Sequence, residues 1–350
     1  MTEKTTVPGI AFLEVEAWEE DILKRLCPPA WRARYYAEEA DRIDLGEIGD
    51  AQIISVFIYS NLDAPLLRQL PSLRMIATRS TGYDHIDMAY CRERNIVVSN
   101  VPSYGANTVA EHTFALLLSL SRNIYQARER TLRNDFSLHG LQGFDLMGKV
   151  LGVIGTGQIG QHVIRIAKGF EMQVLAYDPH QDAAASERLG FEYVGFDALL
   201  ARSDVISLHS PLTAETQHLI GKQAFQKMKK GVTLINTARG GLIDTEALLG
   251  ALDAGIVAGA GLDVLEEEEA VREERELLSG RFDGHKLQAV LRNHVLAKHE
   301  RVIITPHIAF NSREAVERIL ETTLENISAY LAQAPSNVVA ARSEGRGGVN

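Results

Sequence analysis

The chain has 350 residues, with 36 lysines and arginines against 46 aspartates and glutamates, and a formal net charge of −10. That balance disfavours a nucleic-acid binder, whose phosphate partner calls for the opposite sign. At 45% hydrophobic and 23% charged residues, the composition excludes disordered and fibrous architectures and is enough for two packed domains. The longest strongly apolar stretch, 114–120, is far shorter than the roughly 20 residues that cross a bilayer. The first residues lead into a short run carrying Glu14 and Glu16 and not into a signal-peptide core, so a cytoplasmic protein without membrane or nucleic-acid partners is expected. Cys27 and Cys91 are too few and too scattered for a disulfide framework or a four-ligand zinc site, and read as buried thiols with no metal.

In chain order, short β-branched runs recur at helical separations, the pattern of βαβ units on a parallel sheet. The first series is 10–15, 53–59, 75–77 and 96–99; the second is 150–154, 173–177, 205–208, 232–235, 257–262 and 302–304. Two sheets are implied. Between them, Val109, His112, Phe114, Leu116, Leu118 and Leu120 suit one long, mostly buried helix over 107–122, a natural connector. A last helix over 312–331 begins with a serine able to cap it and Glu314 just inside. Its place after the second series suggests a return to the first domain.

The run 150–154 is followed at once by Gly155, Thr156, Gly157, Gln158, Ile159 and Gly160, and then by a helical stretch to Gly169. This is G-x-G-x-x-G in its strand-to-helix setting: the first glycine allows a tight turn, the second a close approach to a pyrophosphate, and the third close helix packing. Backbone N–H groups of Gln158, Ile159 and Gly160 at the helix start would face the phosphates. Asp178 ends the next strand, 18 residues beyond Gly160, where a carboxylate binds the ribose hydroxyls. It would repel a 2′-phosphate, and Pro179 and His180 stand where an NADP enzyme commonly places arginine. NAD is the expected cofactor.

The chain resembles the D-isomer-specific 2-hydroxyacid dehydrogenase family over 77–319. The resemblance rests on 78–87, on Val101-Pro102-Ser103-Tyr104 with Val109-Ala110-Glu111-His112, on the glycine loop, on 236–244, and on Thr305-Pro306-His307-Ile308-Ala309-Phe310. Tyr104 and Phe310 make it most similar to the D-lactate dehydrogenase branch. The resemblance implies two doubly wound parallel-sheet α/β domains: a flavodoxin-like substrate domain from 1–104 and 308–350, and a Rossmann NAD-binding domain from 105–307. It also implies a homodimer, through the helix over 107–122.

The chemistry follows from the residues as well. Reducing a 2-oxo acid needs a cation for the carboxylate, a donor that polarises the ketone, and an acid for the nascent alkoxide. Arg239 comes just after the strand 232–235, at the carboxyl edge where open α/β sheets hold ligands. Its planar fork suits a carboxylate and an adjacent carbonyl. His307, after the strand 302–304, can give or take the substrate proton. A carboxylate beside it would orient the ring and favour its charged form. The run 266–269 is all glutamate; the family pattern selects Glu268, five residues beyond Asp263, with Glu266 as the fallback.

The resemblance further implies that the backbone of Ser80, Thr81 and Gly82 holds the substrate carboxylate with Tyr83 nearby, while Tyr104 and Phe310 line the side-chain pocket. Asp263, the carbonyl of Ala238, and Thr237 would meet the nicotinamide side. His209, Pro211 and Thr213 would lie against the pyrophosphate and adenosine. One departure is the long, charged segment 268–307, which bears on substrate access. Of the net charge, −5 falls within 266–276. Two alternatives stay open: a phosphite dehydrogenase-like oxidoreductase on the same scaffold, and a co-repressor-like protein that binds NAD without turnover.

Overall fold

The computed structural model describes residues 9–266 and 284–339. The chain divides into two compact units, one made of residues up to 105 and from 312 onward, the other of 106–311.

The first unit is a parallel sheet of β1 (Gly9–Phe12), β2 (Arg32–Tyr35), β3 (Ala51–Val56), β4 (Met75–Thr78) and β5 (Val97–Ser99), in the order β2-β1-β3-β4-β5. β1, β3 and β4 are buried almost throughout, because helices cover both faces of an inner parallel strand and leave a continuous apolar run in the sequence. β2 has no such run. It is an edge strand of sequence Arg-Ala-Arg-Tyr and is partly exposed, so no buried pattern marks it. The helix Arg313–Leu331 belongs to this unit and packs on β4 and on the helix Ala17–Leu26. Ser312 caps it, its hydroxyl accepting the Ala315 amide at 3.2 Å.

The second unit is a seven-stranded parallel sheet: β6 (Val150–Ile154), β7 (Gln173–Tyr177), β8 (Glu192–Tyr193), β9 (Val205–Leu208), β10 (Val232–Asn236), β11 (Val257–Leu262) and β12 (Val302–Ile304). Its order is β12-β11-β10-β9-β6-β7-β8. From β6 the chain winds outward to β8, then returns to lay β9 on the other side of β6. The carboxyl ends of β6 and β9 therefore flank the point where winding reverses, the ligand position of this architecture. β8, the two residues Glu192–Tyr193, is too short to leave an apolar run in the sequence.

The helix Ala106–Ser121 packs against the helix Gln158–Gly169 and across β10 and β11, burying Val109, Ala110, Phe114, Leu116 and Leu117. A helix Gly284–Ala297 precedes β12. Both sheets are the doubly wound α/β architecture expected from the sequence. Among the described residues no helix is long and apolar enough to cross a membrane.

Candidate active site

The glycine turn after β6 sits at the reversal point. Gly155 has φ +95°, and a Cβ there would meet the carbonyl carbon and oxygen of His209 at 2.7 Å; the loops after β6 and β9 run too close for any side chain. Gly160, in the helix Gln158–Gly169, is equally constrained, since a Cβ would fall 2.1 Å from the Gly155 oxygen. Gly157 differs: a Cβ on it would meet nothing within 4 Å. Of the glycines in this turn, two serve packing and one borders open space.

Asp178, after β7, is drawn onto this turn. Its Oδ2 accepts the amide of Thr156 at 2.7 Å and the hydroxyl at 3.0 Å, and its Oδ1 accepts the His180 amide at 2.8 Å. His209, after β9, engages Ser207 Oγ through Nε2 at 2.8 Å, while its Nδ1 is enclosed and meets no protein partner. Burial pulls this imidazole down to about 3, so the ring is neutral and one ring nitrogen is left over for a ligand. Further along that loop, Thr216 Oγ1 accepts the Thr213 amide and donates to the Pro211 carbonyl, both at 2.7 Å, closing a rigid turn.

At the end of β10, the buried Asn236 side chain brackets the turn that carries Arg239. Its Oδ1 accepts the Ala238 amide at 3.0 Å and its Nδ2 donates to the Arg239 carbonyl at 2.9 Å. Arg239 Nη1 donates to the Ala238 carbonyl at 2.8 Å, and Thr237 Oγ1 lies 3.0 Å from Thr113 Oγ1. Next along the sheet edge, Asp263 ends β11. Its Oδ1 takes the Thr305 hydroxyl at 2.5 Å and the Ile308 amide at 2.9 Å, and its Oδ2 takes the Ala309 amide at 2.8 Å. His112 Nε2 stands 3.4 Å from Oδ1 and 3.0 Å from Thr305 Oγ1. Burial pushes this carboxyl up, but the hydrogen bonds from His112, Thr305 and the two amides outweigh it and hold the group below the usual carboxylate range.

His307 lies inside the turn so fixed, with φ +53°, an uncommon conformation for a residue other than glycine. Its amide donates to the carbonyls of Asp263 and Thr305 at 2.9 Å each. The turns that carry Arg239 and His307 are thus held by a buried amide and a buried carboxylate.

The profile of the D-isomer specific 2-hydroxyacid dehydrogenase NAD binding domain matches residues 114–309, more than half of the chain. The chain belongs to the D-isomer-specific 2-hydroxyacid dehydrogenases. It is 41% identical over 282 residues to the D-lactate dehydrogenase of Escherichia coli (strain K12), covering 79% of this chain and 82% of that protein. It is also 41% identical over 262 residues to an aromatic 2-oxoacid reductase of Clostridium sporogenes, covering 74% and 76%. A crystal structure of the D-lactate dehydrogenase from Aquifex aeolicus complexed with NAD and lactic acid superposes with a TM-score of 0.81 at 38% identity, covering 96% of this chain and all of that one.

This dehydrogenase uses NAD, and its own residues fit that group. Gly157 leaves the backbone of the β6 turn approachable, the helix Gln158–Gly169 presents its N-terminus there, and the enclosed Nδ1 of His209 stands unpartnered at the adjoining strand end.

In the first unit, the loop after β4 is tightly tied. Ser80 Oγ donates to the Gly82 carbonyl at 2.6 Å and Thr81 Oγ1 to the Val101 carbonyl at 2.8 Å, so both hydroxyls turn back into the protein. Beneath them Arg79, 1% exposed, donates to the carbonyls of Leu13 and Glu14 at 2.7 Å each and to Ser55 Oγ at 3.2 Å. The Tyr104 carbonyl accepts from Arg318 Nε. In the second unit, Phe310 is half-buried.

Glu268 lies outside the described residues. Glu266, its fallback, is committed elsewhere: its carboxylate meets His218 Nε2 at 2.5 Å and the Thr245 amide at 3.2 Å. Sequence reasoning also missed three features of these loops and strands. The grip of His112 and Thr305 on Asp263 joins residues far apart in the chain. Arg79 reads as one charge at a strand end. Tyr193 lies on an unread edge strand.

Proposed function

We propose that this dehydrogenase interconverts a small, pyruvate-like 2-oxo acid and its D-2-hydroxy acid, as a lactate-type member of the family. The observation that carries the reading is the linkage of three adjacent strand ends. The Asp263 amide donates to the Asn236 carbonyl and the His307 amide to the Asp263 carbonyl, each at 2.9 Å, which ranks the Arg239 turn, Asp263 and His307 side by side. NAD supplies the acceptor for the hydride, and NADH the donor. Arg239 holds the substrate carboxylate with its planar fork and polarises the keto oxygen. His307 passes the proton to or from the substrate oxygen, and Glu268 sustains the charged ring. The backbone of Ser80, Thr81 and Gly82 is assigned to the carboxylate, and Tyr104 and Phe310 to the substrate's C3 substituent.

The reading includes a cytoplasmic setting, supported by the free thiols of Cys27 and Cys91, and a homodimer, supported by large apolar side chains exposed after the helix Ala106–Ser121.

The test is NADH oxidation with 2-oxo acids of increasing bulk, from glyoxylate through pyruvate to phenylpyruvate. Pyruvate is expected to give the highest kcat/KM. Arg239→Lys is expected to lower kcat/KM by about 10²- to 10³-fold, and His307→Asn to lower kcat by about 10²- to 10⁴-fold. Equal rates in all three proteins, or NAD reduction by phosphite with no activity on any 2-oxo acid, would overturn the reading.

A further inference from the structure

Asp178 is the end of a hydrogen-bonded chain. The Thr156 hydroxyl that it accepts is 2.8 Å from the Tyr193 hydroxyl, and the Tyr193 oxygen is 3.1 Å from the Asp182 amide nitrogen. The two ends have one role each, since a backbone amide only donates and a carboxylate only accepts. Every hydroxyl carries a single proton, so the direction of the whole chain is fixed. The Asp182 amide donates to Tyr193, Tyr193 donates to Thr156, and Thr156 donates to Asp178.

We propose that Thr156 and Tyr193 are positioning residues for the cofactor's adenosine ribose: their hydroxyl relay locks Asp178 in one orientation and so sets the preference for a free 2′-hydroxyl over a 2′-phosphate. The proposal rests on NAD as the cofactor and is independent of which 2-oxo acid is reduced.

The count of acceptor sites supports this. A carboxylate offers about four acceptor positions. On Asp178, Thr156 fills both positions of Oδ2 and the His180 amide fills one on Oδ1. One in-plane position remains, on Oδ1, enough for one ribose hydroxyl. A 2′-phosphate would require the carboxylate to swing away. That movement breaks the Thr156 and His180 bonds together and strands the Thr156 hydroxyl, on a residue only 5% exposed, without an acceptor.

The relay cannot easily follow the carboxylate. Tyr193 is held by the pairing of β8 with β7, where it faces Ala176, and its ring packs edge-on against Phe191 with centroids 4.9 Å apart. The glycine turn, the loop after β7 and the edge strand β8 are thereby tied to one oxygen atom.

Calorimetric titration of the purified protein with NADH and with NADPH tests the relay without reference to turnover. Tyr193→Phe removes the middle hydroxyl and keeps the ring; Thr156→Val removes the final donor and keeps the shape; Thr156→Ser restores it. The first two are expected to weaken NADH binding by about three- to tenfold, to change NADPH binding by less than about twofold, and to leave kcat at saturating NADH within about twofold. Thr156→Ser is expected to match the parent protein. The double variant should bind NADH no more weakly than Thr156→Val alone, because one relay can be broken only once.

The proposal fails if Tyr193→Phe, with the parent's melting temperature, keeps the parent's NADH affinity and its discrimination against NADPH. It also fails if the two losses add in the double variant. A parent protein that binds neither nucleotide would overturn the cofactor assignment itself.

Discussion

At Asp263 the cost of a buried charge is offset by geometry. The residue is 1% exposed, and a carboxylate so far from water is destabilising by several kcal/mol unless it is fully hydrogen-bonded. His112, Thr305, Ile308 and Ala309 supply the partners, and in doing so they fix the turn that presents His307. Because folding lowers the carboxyl from its usual 3.8, the folded chain binds fewer protons than the unfolded one just below that pH. The stability it contributes is therefore complete above about pH 3.8 and is lost as pH falls through the lower folded value. Asp263→Asn puts an amide group against the Ile308 or Ala309 N–H. We expect it to destabilise the protein by about 2–4 kcal/mol at pH 7 and to show a shallower loss of stability below pH 4 than the parent. Urea unfolding between pH 3 and 7 measures both, and identical acid limbs would refute the linkage.

The turn between β6 and its helix separates two uses of glycine that the motif alone merges. Gly157 borders open space at φ −64°, a conformation any residue adopts. Gly157→Ala should therefore keep the parent's melting temperature while weakening NADH binding by about tenfold, since the added methyl occupies the approach to the backbone. Gly160→Ala drives a Cβ onto the Gly155 oxygen and is expected to destabilise by about 1–3 kcal/mol, several degrees in the melting temperature. Differential scanning calorimetry paired with titration separates the two effects, and a reversed pattern would exchange the roles of the two glycines. The motif and its strand-to-helix setting were legible in the sequence because they are local, as were the inner strands β6, β9 and β10, which are mostly apolar and buried almost throughout. β2 and β8 were not, because β2 reads Arg-Ala-Arg-Tyr and β8 is only two residues long, so neither carries a continuous apolar run. The Tyr193–Thr156 contact, between residues 37 positions apart, and the His112–Thr305 contact, between residues 193 positions apart, depend on tertiary packing and leave no periodic trace. Arg239 and His307 stand out in the sequence because each comes three residues after a largely apolar strand run, β10 or β12.

At the scale of the whole molecule, the acidic balance and the exposed apolar surface constrain assembly together. The helix Ala106–Ser121, which the family resemblance implies as a pairing surface, uses its large apolar side chains inside its own unit and exposes Asn107, Glu111 and Ala115. The apolar surface begins just after it, with Ile124, Tyr125, Leu132, Phe136, Leu138 and Met147 all exposed, Phe136 at 76% and Leu138 at 85%. Single exposed hydrophobics are ordinary, but this many within 124–147 are what the proposed homodimer would cover. Two copies carrying −10 each repel at low ionic strength, so a homodimer must draw its affinity from apolar burial and should tighten as salt screens the charge. Light scattering behind size exclusion is expected to show a dimer whose dissociation at submicromolar concentration is greater at about 10 mM than at about 300 mM salt. Phe136→Asp combined with Leu138→Asp adds charge where each protomer exposes apolar surface; it should shift the protein to monomer while leaving the protomer folded, because neither side chain contributes to the core. A parent that is monomeric at tens of micromolar, or a double variant that stays dimeric, would show that this surface has another use.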